Sequence, residues 1–122
     1  MRAALSLVLI LLLAACLPPF APSPGTAPGV TFTRAPTATG WEFVLLVEEP
    51  YPAVRETYVR LVGEDLASEQ CEGDSQVLRC TSGVVVSEWR LLVEGRVLNS
   101  SLLPFGVVCR EECFDLYLTS GP

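Results

Sequence analysis

The chain has 122 residues, fourteen of them acidic and eight basic, and every basic one is an arginine. That length holds one small domain, and the lack of histidine and lysine removes Ser-His-Asp and Cys-His nucleophile systems, Schiff bases and Ser-Lys dyads. All fourteen acids lie between Glu42 and Asp115 with six arginines, giving −8 for a stretch that repels phosphate backbones, so no nucleic-acid partner is expected.

Met1-Arg2 gives a short positive start, and Ala3 to Leu13 (AALSLVLILLL) is an apolar run of the length used by export signals. A membrane-spanning helix needs about twenty apolar residues, and Pro18-Pro19 stops this run short of that. Leu13-Ala14-Ala15-Cys16 follows: an aliphatic residue, two small ones, then a cysteine. These residues resemble the lipobox that closes the signal peptide of bacterial lipoproteins. The resemblance implies diacylglyceryl transfer to the Cys16 thiol, cleavage before Cys16, and acylation of the new amino terminus. It places the chain in the cell envelope, attached to a membrane by lipid. Leu17 stands where aspartate would act as an inner-membrane retention signal. The outer membrane is therefore implied if there is one, and otherwise the outer face of the plasma membrane. Two or three acyl chains hold firmly where one binds only reversibly.

Residues 1–15 thus read as the signal and 16–39 as the lipidated cysteine with a linker. From Leu17 to Gly40 the chain has six prolines and three glycines, a composition that favours extended polyproline geometry. Within it, Val30-Thr31-Phe32-Thr33 alternates apolar and polar residues and is a candidate edge strand.

Residues 40–122 are expected to fold. Trp41–Glu48, Thr57–Val62, Gln76–Cys80, Val84–Glu94, Val97-Leu98, Phe105–Cys109 and Cys113–Thr119 read as short strands. Their turn-broken spacing predicts an all-β domain, a small β-sandwich. The alternative is α+β with one helix near 53–67, because Val54, Tyr58, Leu61, Val62 and Leu66 also fall at helical spacing behind Pro52. The segment CEGDSQVLRC, with cysteines at either end of a hairpin-sized loop, is similar to immunoglobulin-like repeats of secreted bacterial surface proteins. That resemblance implies the sandwich.

Apart from Cys16, four cysteines remain in an exported domain: Cys71, Cys80, Cys109 and Cys113. They are expected as disulfides, and three pairings are open. The local one, Cys71–Cys80 with Cys109–Cys113, is favoured, each short loop contributing about 2–2.7 kcal/mol in the chain-entropy account. Zinc needs closer ligand spacing than Cys71 and Cys80 have, so no metal or other cofactor is expected. The doublets Glu48-Glu49, Glu64-Asp65 and Glu111-Glu112 are no catalytic pairs, since neighbours on a strand face opposite sides. Trp41 and Trp89 fall in phase with core positions, whereas Phe105, in the turn-like Leu103-Pro104-Phe105-Gly106, is a candidate anchor for a partner.

These features describe a non-catalytic envelope lipoprotein displaying an acidic β-domain that binds a protein or a wall or surface polymer. Two alternatives stay open. One is a lipid-anchored, carbohydrate-directed hydrolase whose acids come from separate strands. The other is an inhibitor of hydrolases.

Overall fold

Glu56–Ala67 alternates outward and inward side chains along its length, and the rest of the chain is organised around it. In this computed structural model, which describes residues 27–119, that segment is the third of eight strands, and no helix occurs among the described residues. The strands are β1 Val30–Pro36, β2 Gly40–Val47, β3 Glu56–Ala67, β4 Cys71–Gly73, β5 Val77–Ser82, β6 Glu88–Val97, β7 Gly106–Cys109 and β8 Cys113–Leu116. All pairings are antiparallel, in the order β1-β2-β6-β3-β5-β4, with β7 on β3 and β8 on β7.

β3 belongs to both layers of the molecule. Its first half pairs with β5 (Thr57 opposite Ser82, Val62 opposite Val77) and with β7 (Glu56 opposite Cys109). From Gly63 onward it pairs with β6, and the register shifts between Glu64 and Ala67. A bulge of this kind bends a strand and sharpens its twist. Asp65 takes the left-handed conformation there (φ 53°), and Gly95 opposite has φ 100°. A Cβ on Gly95 would collide with the Asp65 carbonyl, so the bend needs glycine at that position. One sheet thus folds over on itself and encloses a single sandwich-like core.

Phe32 of β1, Phe43 of β2 and Phe105 meet in that core, with ring centroids 5.5, 6.0 and 5.8 Å apart. Val59 and Leu61 of β3, Leu78 and Cys80 of β5, Leu91 of β6, Val108 of β7 and Leu116 of β8 surround them, all buried. Both disulfides follow strand register: Cys71 lies opposite Cys80 across β4 and β5, and Cys109 opposite Cys113 across β7 and β8. This is the local pairing.

The α+β alternative falls away and two expectations change. The helix near 53–67 is absent, because Tyr58 and Val62 of its supposed apolar face point outward, each 38% exposed. The linker assigned to 16–39 ends early: Ala27 is already buried and Phe32 is fully enclosed. Alternation at Val30 and Phe32 outweighs the proline content, and Pro36 falls at the strand end, where a missing N–H costs little. The long strand expected over Val84–Glu94 starts only at Glu88, since Val85 turns inward to bridge Val54 while Val84 and Val86 are exposed. The signal (1–15), Cys16 and the linker up to residue 26 lie outside the described residues.

Four segments meet at the end where β1 begins, here called proximal. The Glu48 N–H donates to the Gly29 carbonyl, Val54 and Val85 exchange backbone bonds, and the Arg55 N–H donates to the Cys109 carbonyl. β1 runs from there for seven residues, about 23 Å at strand rise, to the distal end.

Candidate functional site

A groove of about 810 Å3 opens at the distal end. Its walls come from three separate stretches: the β1–β2 turn with Trp41, the end of β3 with the turn after it, and Leu92–Glu94 of β6. The turn is closed locally. Thr37 exchanges with Gly40, its N–H donating to the Gly40 carbonyl (2.9 Å) and its Oγ1 accepting from the Gly40 N–H (3.0 Å).

Side chains after β3 form the opposite wall by binding the edge of β6. Gln70 Nε2 donates to the Arg90 carbonyl at 2.7 Å, and Gln70 Oε1 accepts from the Leu92 N–H at 2.9 Å. Ser68 Oγ donates to the Leu92 carbonyl at 2.6 Å and accepts from the Gln70 N–H at 3.3 Å. These bonds fix both side chains without using all their capacity. A carboxamide has two N–H donors and two lone pairs on its oxygen, and a threonine hydroxyl that accepts still has its O–H to give.

The apolar lining is Trp41, half-buried against the core, and Leu92, more than half exposed on the other face of the β2–β6 ladder. The Arg34 guanidinium lies over the Trp41 ring, 4.7 Å from its centroid. Glu69 and Glu94 line the same groove, and neither is in an ion pair among the described residues. Glu42 and Glu88, by contrast, both engage Arg90, at 2.9 and 3.1 Å, and this raises the Arg90 pKa, the Glu88 hydrogen bond contributing most.

A second cavity, of about 530 Å3, lies at the proximal end beside Arg110. Arg110 Nε donates to the Pro52 carbonyl (3.0 Å) and Nη1 to the Pro28 carbonyl (2.6 Å), with the Tyr51 ring 5.8 Å away. The arginine therefore ties the approach to β1, the β2–β3 loop and the β7–β8 turn together. Its role is that of a clamp, and Nη2 is shielded without a partner among the described residues. Among the described residues no three histidine, cysteine, aspartate or glutamate side chains converge closely enough to hold a metal ion.

Phe105, the expected partner anchor, is 1% exposed and belongs to the phenylalanine cluster, so that assignment is overturned. The exposed side chains of its loop are Leu102 and Leu103, before the proline. Trp41 and Trp89 do pack against the core, but each only in part. Thr37, Thr39, Ser68, Glu69, Gln70 and Glu94 carry no local signal in the sequence. Strand register alone brings them together. Comparison with known protein families, characterised proteins and solved structures finds no match for this chain.

Proposed function

We propose that this chain is a lipid-anchored, non-catalytic protein of the bacterial cell envelope whose acidic β-domain binds a protein or a wall or surface polymer. The lipobox-like Leu13-Ala14-Ala15-Cys16 carries the anchoring part of the reading, and two disulfides accord with an oxidising compartment. The observation that carries the display part is polarity. The chain comes into the fold at Ala27, at the proximal end, and the groove lies at the other end of β1. An anchor on one side and a binding face on the other is the layout a display module needs.

The test is metabolic labelling with a fatty acid. Wild-type protein takes up label and sediments with membranes, and Cys16→Ala loses both. Equal labelling of the variant would overturn the anchor.

One observation favours the hydrolase as a second reading: Glu69 and Glu94 come from separate elements and share a groove. Changing each to glutamine separates the two. An enzyme loses turnover of its polysaccharide with its melting temperature unchanged, whereas a binding module has no turnover to lose.

A further inference from the structure

We infer that the outward face of β3 is a contact surface for a second copy of this chain, packed on it two-fold about Val62. Register gives the face row by row. Val77 of β5 lies opposite Val62, and Leu98, which follows Val97 opposite Gly63, donates its N–H to the Val62 carbonyl. Opposite residues share a face, so Val77, Val62 and Leu98 form an apolar row across β5, β3 and the end of β6. Val62 and Leu98 are both exposed. Leu102 and Leu103 extend this surface on a turn whose ends are pinned to β3. Asn99 bonds the Val62 N–H and the Arg60 carbonyl at one end, and the Phe105 carbonyl accepts from the Arg60 N–H at the other. Apolar surface standing out in this way marks a contact site.

Charge names the occupant. The row on the proximal side of Val62 is Arg79 opposite Arg60, two like charges side by side, and Arg60 is in no ion pair among the described residues. The row on the distal side is Glu64 opposite Arg96, joined only at 3.9 Å. On β3 itself the nearest outward carboxylates, Glu56 and Glu64, are four residues from Arg60, about 13 Å at strand rise and too far to pair. A two-fold axis along the apolar row turns a second copy end for end. Each residue of the row then meets its own counterpart, and Arg60 of each copy comes opposite Glu64 of the other. The face is self-complementary, as such a contact requires. Three of the six arginines that lie among the acids are here, set against Glu64 and Glu72, so two acidic domains meet where their charge is least one-sided. An acidic partner of another kind would be drawn to the arginines but repelled by Glu64 and Glu72. Ten residues separate Cys16 from Ala27, up to about 31 Å of chain, enough for each tether to run back along the length of β1.

The experiment uses cells producing the full chain and a membrane-permeant bis-maleimide with an arm of about 10 Å, the spacing of packed sheets. Val62→Cys is expected to give a crosslinked dimer, several-fold more than Leu92→Cys, which is exposed opposite Glu42 and away from the axis. In the Val62→Cys background, Arg60→Glu alone or Glu64→Arg alone should lower the yield several-fold. Producing these two variants in the same cells should restore it, because in the mixed pair opposite charges face each other again. Restoration also shows that both variants fold. A Val62→Cys yield no higher than that of Leu92→Cys overturns the contact. So does a yield unchanged by Arg60→Glu, or one that mixing fails to restore. A crosslink to a different protein in place of the dimer gives the face another occupant and overturns the inference as well. Fatty-acid labelling at Cys16 is independent of all these outcomes.

Discussion

The free side of Phe32 is held by a single residue, Thr119: its N–H donates to the Phe32 carbonyl at 2.7 Å, and its Oγ1 accepts from the Phe32 N–H at 3.1 Å. Gly29 and Thr37 bond to the β2 side, so by alternation the even-numbered residues of β1 point their backbone groups away from β2. Thr119 occupies that edge at Phe32, and Pro36 offers no N–H at its end. The edge is covered where a second chain would otherwise pair. Thr119→Val keeps the backbone donor and removes the acceptor. It should cost about 1 kcal/mol in urea denaturation. Ending the chain before Thr119 removes both bonds and should add concentration-dependent association, read by sedimentation.

Gln70 serves β6 in a similar way, spanning the Arg90 carbonyl and the Leu92 N–H as a strand residue would. Asn99 repeats the device on β3, with Oδ1 on the Val62 N–H at 2.7 Å and Nδ2 on the Arg60 carbonyl at 2.9 Å. Gln70→Ala and Asn99→Ala should each lower stability by about 1–2 kcal/mol, since two backbone bonds are lost at once. Native-state hydrogen exchange should quicken at the Leu92 amide in the first and the Val62 amide in the second. Unchanged exchange would contradict the pairing.

Phe105 stands or falls with the core. Phe105→Ala should cost about 3–5 kcal/mol, against a total of about 5–15 for a small domain. Leu102→Ser and Leu103→Ser, exposed at 86% and 63%, should stay within about 0.5 kcal/mol of wild type in the same denaturation assay.

Thr57 is fully buried, and its hydroxyl has no partner among the described residues. Replacing a buried unpaired hydroxyl by a methyl group of similar shape removes a desolvation cost. Thr57→Val should therefore raise stability by about 1 kcal/mol, seen as a higher urea midpoint with the same slope.

Asp74 shapes the β4–β5 turn, its Oδ1 accepting from the Gln76 N–H at 2.8 Å and the Val77 N–H at 2.9 Å. The Gln76 bond, then the Val77 bond, hold its pKa below the ordinary aspartate value. A lowered native pKa means the contribution is complete above the unfolded value of about 3.9 and is lost as pH falls through the native one. Asp74→Asn should flatten that part of the acid limb of a stability-versus-pH curve, lowering stability at neutral pH and leaving the most acidic points little changed.

Alternation made much of the sheet readable. Thr57–Val62 declares itself through inward Val59 and Leu61 against outward Tyr58 and Arg60, and Trp41–Glu48 nearly coincides with β2. The continuation of β3 to Ala67 was not legible, because a bulge at Glu64–Ala67 breaks the two-residue period. β4 has three residues, too few for any pattern, and it exists as a partner of β5. Phe105 misled because a proline and a glycine flank it, while its burial depends on Phe32 and Phe43, far away in sequence. The groove was hidden for the same reason. Its walls meet only after β1, β3 and β6 have found their places.

The path of β1 also has a mechanical meaning. Tension applied ahead of Ala27 and resisted at the β1–β2 turn would run along the covalent backbone of that strand. It would not peel β1 from β2 one pair at a time. Such a pull would load Phe32 through its backbone without prising its ring from Phe43 and Phe105.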